Sequence, residues 1–479
     1  MQKAFKLASQ FKLTKRDKAQ EQLLKEAKAG NIRILDGFGE KSELQIIEAI
    51  EDSKQHKRER ERMLLPKAEE IASRYINYLK SFDFVDDVVA LGSLRRREST
   101  VGDLDMAVVT TEGTKAIEAF VNYEEVADVM AKGEKRAAVS LTNETQVDLR
   151  IVEKDSLGAM KQYFTGNKQH NVLLRTVALE KGLSISEYGI KENGQLIKYS
   201  TEEELYKRLG LPYIPPYLRQ GRNEIDKAKA NKLPKLITLN DIKGDLHTHT
   251  TYSDGTNSIE EMIQKAISLN YEYIGITDHG PSVHSRGRFE VLGIIDKRRD
   301  EISKLNEKYD NIKIFYGYEI NLLADGEMSM PDDLMKKLDY VIAGLHTAFN
   351  QDKGTATRRV INAIENPNVF MIAHPSGRII NQRKAVELDW EQVLDAAAST
   401  NTVLEINAHP NRLDLAEDLV LEAVSKNIKL AINTDAHSTA DMDLMQYGID
   451  VASRGWCTNA NILNTLPYEE ISKIIKVNK

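Results

Sequence analysis

The stretch DLHTHTTYSDG, residues 245–255, places His247 and His249 at the end of a short apolar run and Asp254 just beyond it. Successive side chains of a β-strand point to opposite faces, so an HxH pair puts both imidazoles on the same face. Imidazole and carboxylate groups are common ligands of zinc and related ions. The stretch therefore predicts the beginning of a metal site at the end of a strand.

Seven short apolar runs, of which this is the first, alternate with helical patterns over the second half of the chain. The runs are IKGDLHTH, YIGITDH, IKIFYGYE, YVIAGLH, VFMIAH, TVLEINAH and KLAINTDAH. Alternation of strand and helix at this spacing predicts parallel βα units, and seven such units predict a (β/α)7 barrel.

The later runs also end in potential metal ligands. They are Asp278 and His279, Glu319, His346, His374, and Asp435 with His437. The carboxyl ends of parallel barrel strands meet at one rim, so we expect these side chains to converge there. So many nitrogen and oxygen ligands exceed the needs of one tetrahedral ion and indicate a multinuclear zinc or manganese site. Bridged ions of this kind are suited to the hydrolysis of a phosphoester.

The motifs HTHTTYSDG, TDH, YGYE, AGLH, AHP and TDAH, in this order, resemble the polymerase-and-histidinol-phosphatase (PHP) domain. The resemblance implies a distorted seven-stranded βα barrel with three Mn²⁺ or Zn²⁺ ions, iron being a further alternative. It assigns His247, His249, Glu319 and Asp435 to one ion, Glu319, His346 and His374 to a second, and Asp254, His279 and His437 to the third. Asp278 is expected to support a ligand, whereas His284 and His409 fall outside the set.

The first half of the chain carries three acidic residues in strand-like runs. GSLRRRESTVGDLDMAVV (92–109) places Asp103 and Asp105 on one strand face, and TQVDLRIV (145–152) contributes Asp148. Three carboxylates on neighbouring strands can hold two divalent ions for in-line phosphoryl transfer. Gly92 and Ser93 permit close backbone approach at a strand end, and the arginines at 95–97 could neutralise a triphosphate.

This pattern, together with YFTGNKQHNVLLR (163–175), resembles the palm and thumb of a family X DNA polymerase. The resemblance implies that Asp103 and Asp105 bridge two Mg²⁺ or Mn²⁺ ions and that Asp148 activates the primer 3′-hydroxyl. It assigns the triphosphate to Gly92, Ser93, Arg96 and Gly102, the nucleotide sugar to Tyr163, Phe164 and Gly166, and the nascent base pair and template to Asn171 and Arg175. Arg97 stands where the family often has glycine.

The segment IRILDGFGEKSELQIIEAI (32–50) resembles a helix-hairpin-helix. In that motif Gly37 and Gly39 let the backbone reach a DNA phosphate, and Lys41 adds a positive charge; such a contact is independent of base sequence. The alternative is an ordinary turn between two helices with a glycine at the helix end.

Length and charge indicate a multidomain protein, and the alternation of strand and helix patterns indicates the α/β class. At 479 residues the chain is too long for one core. Residues 1–235 carry 41 Lys and Arg against 37 Asp and Glu, whereas residues 236–479 carry 25 against 36. We expect a helical segment at 1–66, a nucleotidyltransferase palm with a mixed sheet at 67–155, a thumb and connector at 156–235, and the PHP domain at 236–479. With a single cysteine, no signal-peptide pattern and no apolar run that spans a bilayer, we expect a cytoplasmic protein. The resemblance to a DNA polymerase implies association with the nucleoid, and we expect a monomer.

The leading hypothesis is a repair enzyme that extends DNA with deoxynucleoside triphosphates and uses the PHP domain as a 3′→5′ exonuclease, with 3′-end cleaning or abasic-site cleavage as further activities. One alternative makes the barrel a small-molecule phosphatase of the histidinol-phosphate type, and another makes the protein a DNA-end-binding scaffold with weak polymerase activity. Family members usually begin with a further helical domain that grips a 5′-phosphate. Only about 20 residues precede the hairpin here, so the resemblance does not extend to gap binding or lyase activity; a trimmed chain would look the same.

Overall fold

The computed structural model describes residues 10–11, 16–35, 38–40, 43–44, 46–47 and 62–477. The chain divides into two compact units, Met1–Arg62 and Met63–Lys479. The three boundaries between the four predicted segments stay a prediction. Within the described residues, no helix combines the length and the apolarity needed to cross a bilayer.

The first unit contains helix α1 (Arg16–Lys28). After α1, the buried carboxylate of Glu43 accepts hydrogen bonds from the backbone N–H groups of Ile32 and Arg33, at 3.0 and 2.8 Å. Gly39 is exposed and has open space where a side chain would be. Gly37 and Lys41, the other two predicted DNA contacts, lie outside the described residues.

The second unit begins with a mixed five-stranded sheet in the order β2-β4-β7-β6-β5. Its elements are β1 (Met63–Leu64), α2 (Leu65–Lys80), β2 (Asp87–Ala90), α3 (Gly92–Arg95), β3 (Thr100–Val101), β4 (Leu104–Val109), α4 (Gly113–Val121), β5 (Val126–Lys132), β6 (Arg136–Leu141) and β7 (Gln146–Val152). Strands β4 and β7 are parallel and their neighbours antiparallel. The core lies between this sheet and the apolar faces of α2 and α4. This is the predicted palm with a mixed sheet.

A smaller helical layer with a three-stranded sheet follows. Its elements are α5 (Leu157–Thr165), α6 (Lys168–Leu179), β8 (Ser184–Ser186), β9 (Gly189–Glu192), β10 (Gln195–Ile197), α7 (Glu202–Arg208) and α8 (Glu224–Lys229). Its core includes Leu174, Leu205, Ile214 and Leu218. The proline-rich stretch near 215, which lies in the segment predicted as thumb and connector, therefore contributes side chains to this core.

Seven parallel strands in the order of the sequence form the barrel. Its elements are β11 (Gly244–Thr248), α9 (Ile259–Ser268), β12 (Tyr273–Ile276), α10 (Val283–Arg286), α11 (Arg288–Lys308), β13 (Lys313–Asn321), α12 (Asp332–Met335), β14 (Tyr340–Gly344), α13 (Lys353–Glu365), β15 (Met371–Ala373), α14 (Trp390–Thr400), β16 (Val403–Asn407), α15 (Glu417–Ser425), β17 (Leu430–Asn433), α16 (Met445–Arg454) and α17 (Tyr468–Val477). The predicted seven-stranded barrel is confirmed.

Two features close the barrel. At the carboxyl ends of the first and last strands, Thr248 pairs with Ala436, and the N–H of His249 donates to the Ala436 carbonyl at 2.8 Å. At the opposite end, Ile471 and Ile475 of α17 pack against aromatic residues that fill the interior, among them Tyr273 and Phe315. The closed end leaves the carboxyl rim as the open face of the barrel.

Candidate active sites

The carboxyl rim of the barrel brings the predicted metal ligands together. The ligand atoms of three groups lie within 4.8 Å of one another: His249, Asp254, His279 and His437; His247, His249 and Glu319; and His279, Glu319 and His346. The remaining two ligands are adjacent to these groups: His374 Nε2 lies 2.9 Å from Glu319 Oε1, and Asp435 Oδ1 lies 3.2 Å from His249 Nε2. All nine predicted side chains therefore converge on one site.

Glu319 is at the centre of this cluster. Its Oε1 lies 2.9 Å from Nε2 of both His346 and His374, and its Oε2 lies 3.1 Å from His279 Nδ1. Burial opposes the ionisation of Glu319, but the surrounding imidazoles, foremost those of His247 and His346, hold its pKa well below the usual range. Its Oε2 atom is buried without a hydrogen-bond partner. A buried carboxylate among imidazoles, with a free oxygen, suits a bridging metal ligand.

A layer of buried acidic residues orients the ligands. Glu405 Oε1 lies 2.8 Å from His247 Nδ1, and its other oxygen accepts the backbone N–H of His374 at 2.7 Å. This contact leaves His247 Nε2 directed at Glu319 and Asp435, 3.5 and 3.4 Å away. Glu405 was not predicted from the sequence; a glutamate within the fully buried strand VLEIN is the signal that could have indicated it.

Asp245 and Asp278 are the other acidic residues of this layer. Asp245, also missed from the sequence, accepts hydrogen bonds from Thr434, and burial raises its pKa to about 7. Asp278 accepts from the Thr250 N–H at 2.6 Å and from Ser253 Oγ at 2.7 Å and is paired with Arg298. Asp278 thus fixes the loop that carries Asp254.

The two remaining histidines of the barrel lie outside the three ligand groups. His284 is on the short helix α10. His409 accepts a hydrogen bond from the Asn411 N–H at 3.3 Å. Arg412 Nε lies 3.4 Å from Asp435 Oδ2 and was not identified from the sequence.

In the palm, Asp105 on β4 pairs directly with Asp148 on the parallel strand β7. Asp103 immediately precedes β4 and is exposed. The pKa of Asp105 is raised to about 7, mainly by burial and further by the negative charges of Asp103 and Asp148. Gln146 Nε2 donates to Asp148 Oδ2 at 2.7 Å. In the part of the chain that the structure describes, no triad of palm carboxylates meets the 4.8 Å spacing found in the barrel.

The predicted nucleotide contacts of the palm and thumb meet at one turn. Arg96 donates to the Thr165 carbonyl and to Glu98 Oε1, the latter at 3.0 Å. Gly166, which follows Thr165, has a φ of +67°, a conformation that favours glycine. A β-carbon at position 166 would lie 3.4 Å from Arg96 Nη1. Gly92 has a φ of +58°, and Ser93 lies on the same short helix, α3. Gly102 lies just before Asp103.

The predicted contacts of the nascent pair lie on the other side of this turn. Asn171 Nδ2 donates to the Tyr163 carbonyl at 2.7 Å, and the guanidinium of Arg175 lies 5.2 Å from the centroid of the Tyr163 ring. Phe164 packs edge-on against Tyr163, with ring centroids 5.0 Å apart. The YFTG turn is therefore ordered by contacts with the helix that follows it.

Two of the three arginines at 95–97 form ion pairs with acidic residues outside the palm. Arg95 Nη1 donates to Glu202 Oε1 at 3.0 Å and to Thr165. Arg97 Nη2 pairs with Asp450 of the barrel at 2.7 Å. Arg95 and Arg96 therefore both contact Thr165 of the YFTG turn, through its hydroxyl and its carbonyl respectively.

Family models match two parts of the chain: DNA polymerase beta thumb over residues 160–220 and PHP domain over residues 245–409. The DNA polymerase/3′-5′ exonuclease PolX of Bacillus subtilis (strain 168) is 36% identical over 460 residues, which cover 95% of this chain and 80% of that protein. The chain belongs to the PolX family. The similarity to this PolX relative extends over palm, thumb and barrel alike, in agreement with the resemblance found in the sequence.

Other relatives match only part of this PolX-family chain. A probable phosphatase of Thermoanaerobacter sp. (strain X514) is 31% identical over 232 residues, covering 46% of this chain and 89% of the phosphatase. A crystal structure of Leishmania infantum polymerase beta in a ternary gap complex covers 42% of this chain and 80% of its own, at 18% identity and a TM-score of 0.32. That score is too low for a comparison of folds.

Proposed function

We propose that this PolX-family protein extends DNA primers at its palm and removes nucleotides from 3′ ends at its barrel. The proposal rests on one observation: the chain holds two clusters of potential metal ligands, and the ligand types differ between them. The palm offers carboxylates alone, which suit Mg²⁺ or Mn²⁺, and the barrel offers six imidazoles with three carboxylates, which suit Mn²⁺ or Zn²⁺. Phosphoryl transfer to a hydroxyl and hydrolysis of a phosphodiester are reactions that such centres support.

In the palm, two divalent ions held by Asp103, Asp105 and Asp148 would neutralise charge on the triphosphate and favour deprotonation of the attacking hydroxyl. Asp148 accepts the proton of the primer 3′-hydroxyl, and Gln146 fixes the carboxylate in place through the bond at 2.7 Å. The proposed nucleotide contacts are Gly92, Ser93, Arg96 and Gly102 for the triphosphate, Tyr163, Phe164 and Gly166 for the sugar, and Asn171 and Arg175 for the nascent pair and template.

In the barrel, three ions would supply a bound hydroxide at neutral pH and stabilise the leaving oxygen of a phosphodiester. The proposed ligands are His247, His249, Glu319 and Asp435 for one ion, Glu319, His346 and His374 for a second, and Asp254, His279 and His437 for the third. Glu405 holds His247 with its Nε2 directed at the site, through the contact of 2.8 Å at Nδ1.

The substrates in this proposal are a DNA primer on a template and deoxynucleoside triphosphates. The barrel half is acidic, with 36 acidic against 25 basic residues after position 235. The negative net charge of the barrel half repels the negatively charged DNA backbone. In this proposal the basic first half therefore delivers DNA ends to the barrel. The helix-hairpin-helix around Gly39 is the proposed backbone contact for this purpose.

A primer-extension assay tests the two activities together. The protein is given a 5′-labelled primer on a gapped template with Mn²⁺, with and without deoxynucleoside triphosphates. Asp103→Ala is expected to lose extension and keep shortening. His346→Ala is expected to lose shortening and keep extension.

The same variants serve as matched controls, because each destroys one centre and leaves the other as a measure of correct folding. A wild-type protein that neither lengthens nor shortens the primer would contradict the proposal. Release of phosphate from histidinol phosphate by that same protein would then favour the phosphatase alternative.

A further inference from the structure

A cavity of about 610 Å³ adjoins the ligands Asp254 and His279 on the rim of the barrel. Besides these two residues, its lining includes Tyr252, Lys297 and Arg298. Tyr252 comes two residues before Asp254 and is 51% exposed, which makes it an aromatic ring at the edge of the metal centre.

The ring of Tyr252 is held from two directions. Its hydroxyl donates to Glu301 Oε2 at 2.6 Å, and the guanidinium of Arg298 lies 4.0 Å from the ring centroid. Arg298 is itself buried and paired with Asp278, the residue that fixes the loop of Asp254. The ring is therefore ordered before any substrate binds, and its orientation is coupled to the loop of Asp254.

A large, ordered and half-exposed aromatic ring beside a phosphoesterase centre has the properties of a stacking surface for a base. Every nucleobase has a π-face, so such stacking tolerates any sequence, and the cation on the ring of Tyr252 adds order. Lys297 lines the same cavity and supplies positive charge for a neighbouring phosphate. A small phosphate monoester without a base would not stack on this ring.

We propose that Tyr252 is a stacking platform for the 3′-terminal nucleobase of a single strand whose phosphodiester lies at the metal ligands. This inference rests on the proposed exonuclease and names its substrate class: an unpaired nucleic-acid end rather than a small phosphate ester. Tyr252 acts by contact with the base, and the ligands Asp254 and His279 act on the phosphate.

Photocrosslinking tests the contact without turnover. An oligonucleotide with 5-iododeoxyuridine at its 3′ end is irradiated with the wild-type protein in EDTA, and the crosslinked peptide is sequenced. The expected crosslink is at Tyr252. Crosslinks that lie only outside the 252–254 segment would overturn the proposal.

Kinetics with Mn²⁺ complete the test. Tyr252→Ala is expected to raise KM for single-stranded DNA roughly tenfold or more, and Tyr252→Phe by much less. Any hydrolysis of glycerol 2-phosphate and the polymerase activity are expected to stay unchanged in both variants. An unchanged KM for DNA in Tyr252→Ala overturns the platform while the exonuclease stands. A wild type that does not shorten DNA fails the proposed function itself.

A second inference concerns Arg97, at the end of the palm turn that carries Ser93 and Arg96. Its φ is +58°, a conformation that residues with a β-carbon rarely adopt. Its Nε donates to Asp450 Oδ2 at 2.8 Å, and its Nη1 pairs with Glu69 of α2. Asp450 is buried on barrel helix α16, so the palm turn is tied to the barrel.

The same barrel helix holds the backbone of the turn. Arg454, fully buried, donates to the Arg97 carbonyl and to Ser99 Oγ, the latter at 2.9 Å. Tyr217, within the segment that matches the polymerase beta thumb, donates to Asp450 Oδ1 at 3.1 Å. Palm, thumb and barrel therefore meet around Asp450.

We infer that Arg97, Asp450 and Arg454 are positioning residues for the nucleotide site of the proposed polymerase. Ser93 and Arg96 precede Arg97 in the same turn, so holding Arg97 in its left-handed conformation sets their positions as well. A glycine at position 97 would take that conformation unaided. In this chain, contacts from barrel helix α16 hold position 97 in the left-handed conformation that a glycine would adopt without them.

A double-mutant cycle tests this inference. Asp450→Asn is expected to raise KM for deoxynucleoside triphosphate roughly five- to thirtyfold, with a smaller change in kcat. In the Arg97→Gly background the same substitution is expected to have little effect, because glycine does not depend on the tether. Exonuclease activity reports correct folding of the barrel and is expected to stay unchanged, whereas the melting temperature is expected to fall because Asp450→Asn breaks a buried ion pair.

Nucleotide affinity is also measured by fluorescence with Ca²⁺ in place of the catalytic ion, so that the test does not depend on turnover. An effect of Asp450→Asn that is equal in both backgrounds, or absent in both, overturns the positioning role. A wild type that binds the nucleotide but does not extend a primer contradicts the proposed function instead.

Discussion

A β-carbon on Gly92 would lie 2.3 Å from Oδ2 of Asp105, far inside van der Waals contact. Gly92 also has a φ of +58°, so any side chain there is strained as well as obstructed. The turn that carries the predicted triphosphate contacts and the central palm carboxylate can therefore be this close only with glycine at position 92.

Gly92→Ala is expected to reduce primer extension roughly 100-fold or more, because displacing a reactive group by about 1 Å has effects of that size. The exonuclease is expected to be unaffected. Gly182→Ala is the matched control: its φ is also positive, at +68°, but nothing lies within 4 Å of its β-carbon site. The control should lose about 1–2 kcal/mol of stability and keep extension. Equal extension by the two variants would contradict this account.

Cation binding at the palm is expected to depend on pH near neutrality. The pKa of Asp105 is raised to about 7, through burial and the charges of Asp103 and Asp148, so the free carboxyl is largely protonated below that pH. A cation must displace this proton, and its affinity should fall about fivefold from pH 7 to pH 6. The folded protein binds this proton more tightly than the unfolded chain does. The contribution of Asp105 to the free energy of unfolding therefore falls as pH rises from about 4 to 7.

Titration calorimetry in two buffers of different ionisation enthalpy measures the released proton, and the Glu319→Gln background removes the contribution of the barrel centre. About half a proton is expected at pH 7. Asp105→Asn should abolish both the release and the pH dependence. Equal Mn²⁺ affinities at pH 6 and pH 8 would count against a raised pKa.

Much of the fold and of the barrel site could be predicted from the sequence because the signals are local. Six of the seven apolar runs end in a proposed ligand, and parallel strands bring such ends to one rim whatever the details of packing. Arg97 shows the opposite case. Its partner Asp450 is 353 residues away, and no local pattern connects them. Glu405 was missed for a related reason: a glutamate in a buried strand is a signal in the sequence, but its partner His247 is 158 residues away.

Glu405→Gln is expected to lower the Mn²⁺ or Zn²⁺ affinity of the barrel about 10- to 100-fold, the usual effect of losing a residue that orients a ligand. The carboxylate holds His247 by Nδ1 at 2.8 Å, and an amide no longer favours the tautomer with Nε2 free. Metal content after dialysis against graded chelator measures the change, and DNA shortening should fall with it. Primer extension serves as the internal control; its loss in step with shortening would indicate misfolding rather than a role in ligand orientation.

Removing metal is expected to destabilise the protein selectively at the barrel. Glu319 and Asp435 are buried, their charges balanced in the described structure chiefly by imidazoles, and an ion that binds them only in the folded state stabilises that state. At a free concentration of 100 times Kd, one such ion contributes about 2.7 kcal/mol, which corresponds to a rise in melting temperature of roughly 5–10 °C for a domain of this size. Scanning calorimetry with EDTA and then with added Mn²⁺ measures the shift. Glu319→Gln should remove most of it and Asp148→Ala little, so a shift that survives Glu319→Gln unchanged would place the stabilising ion outside the barrel cluster.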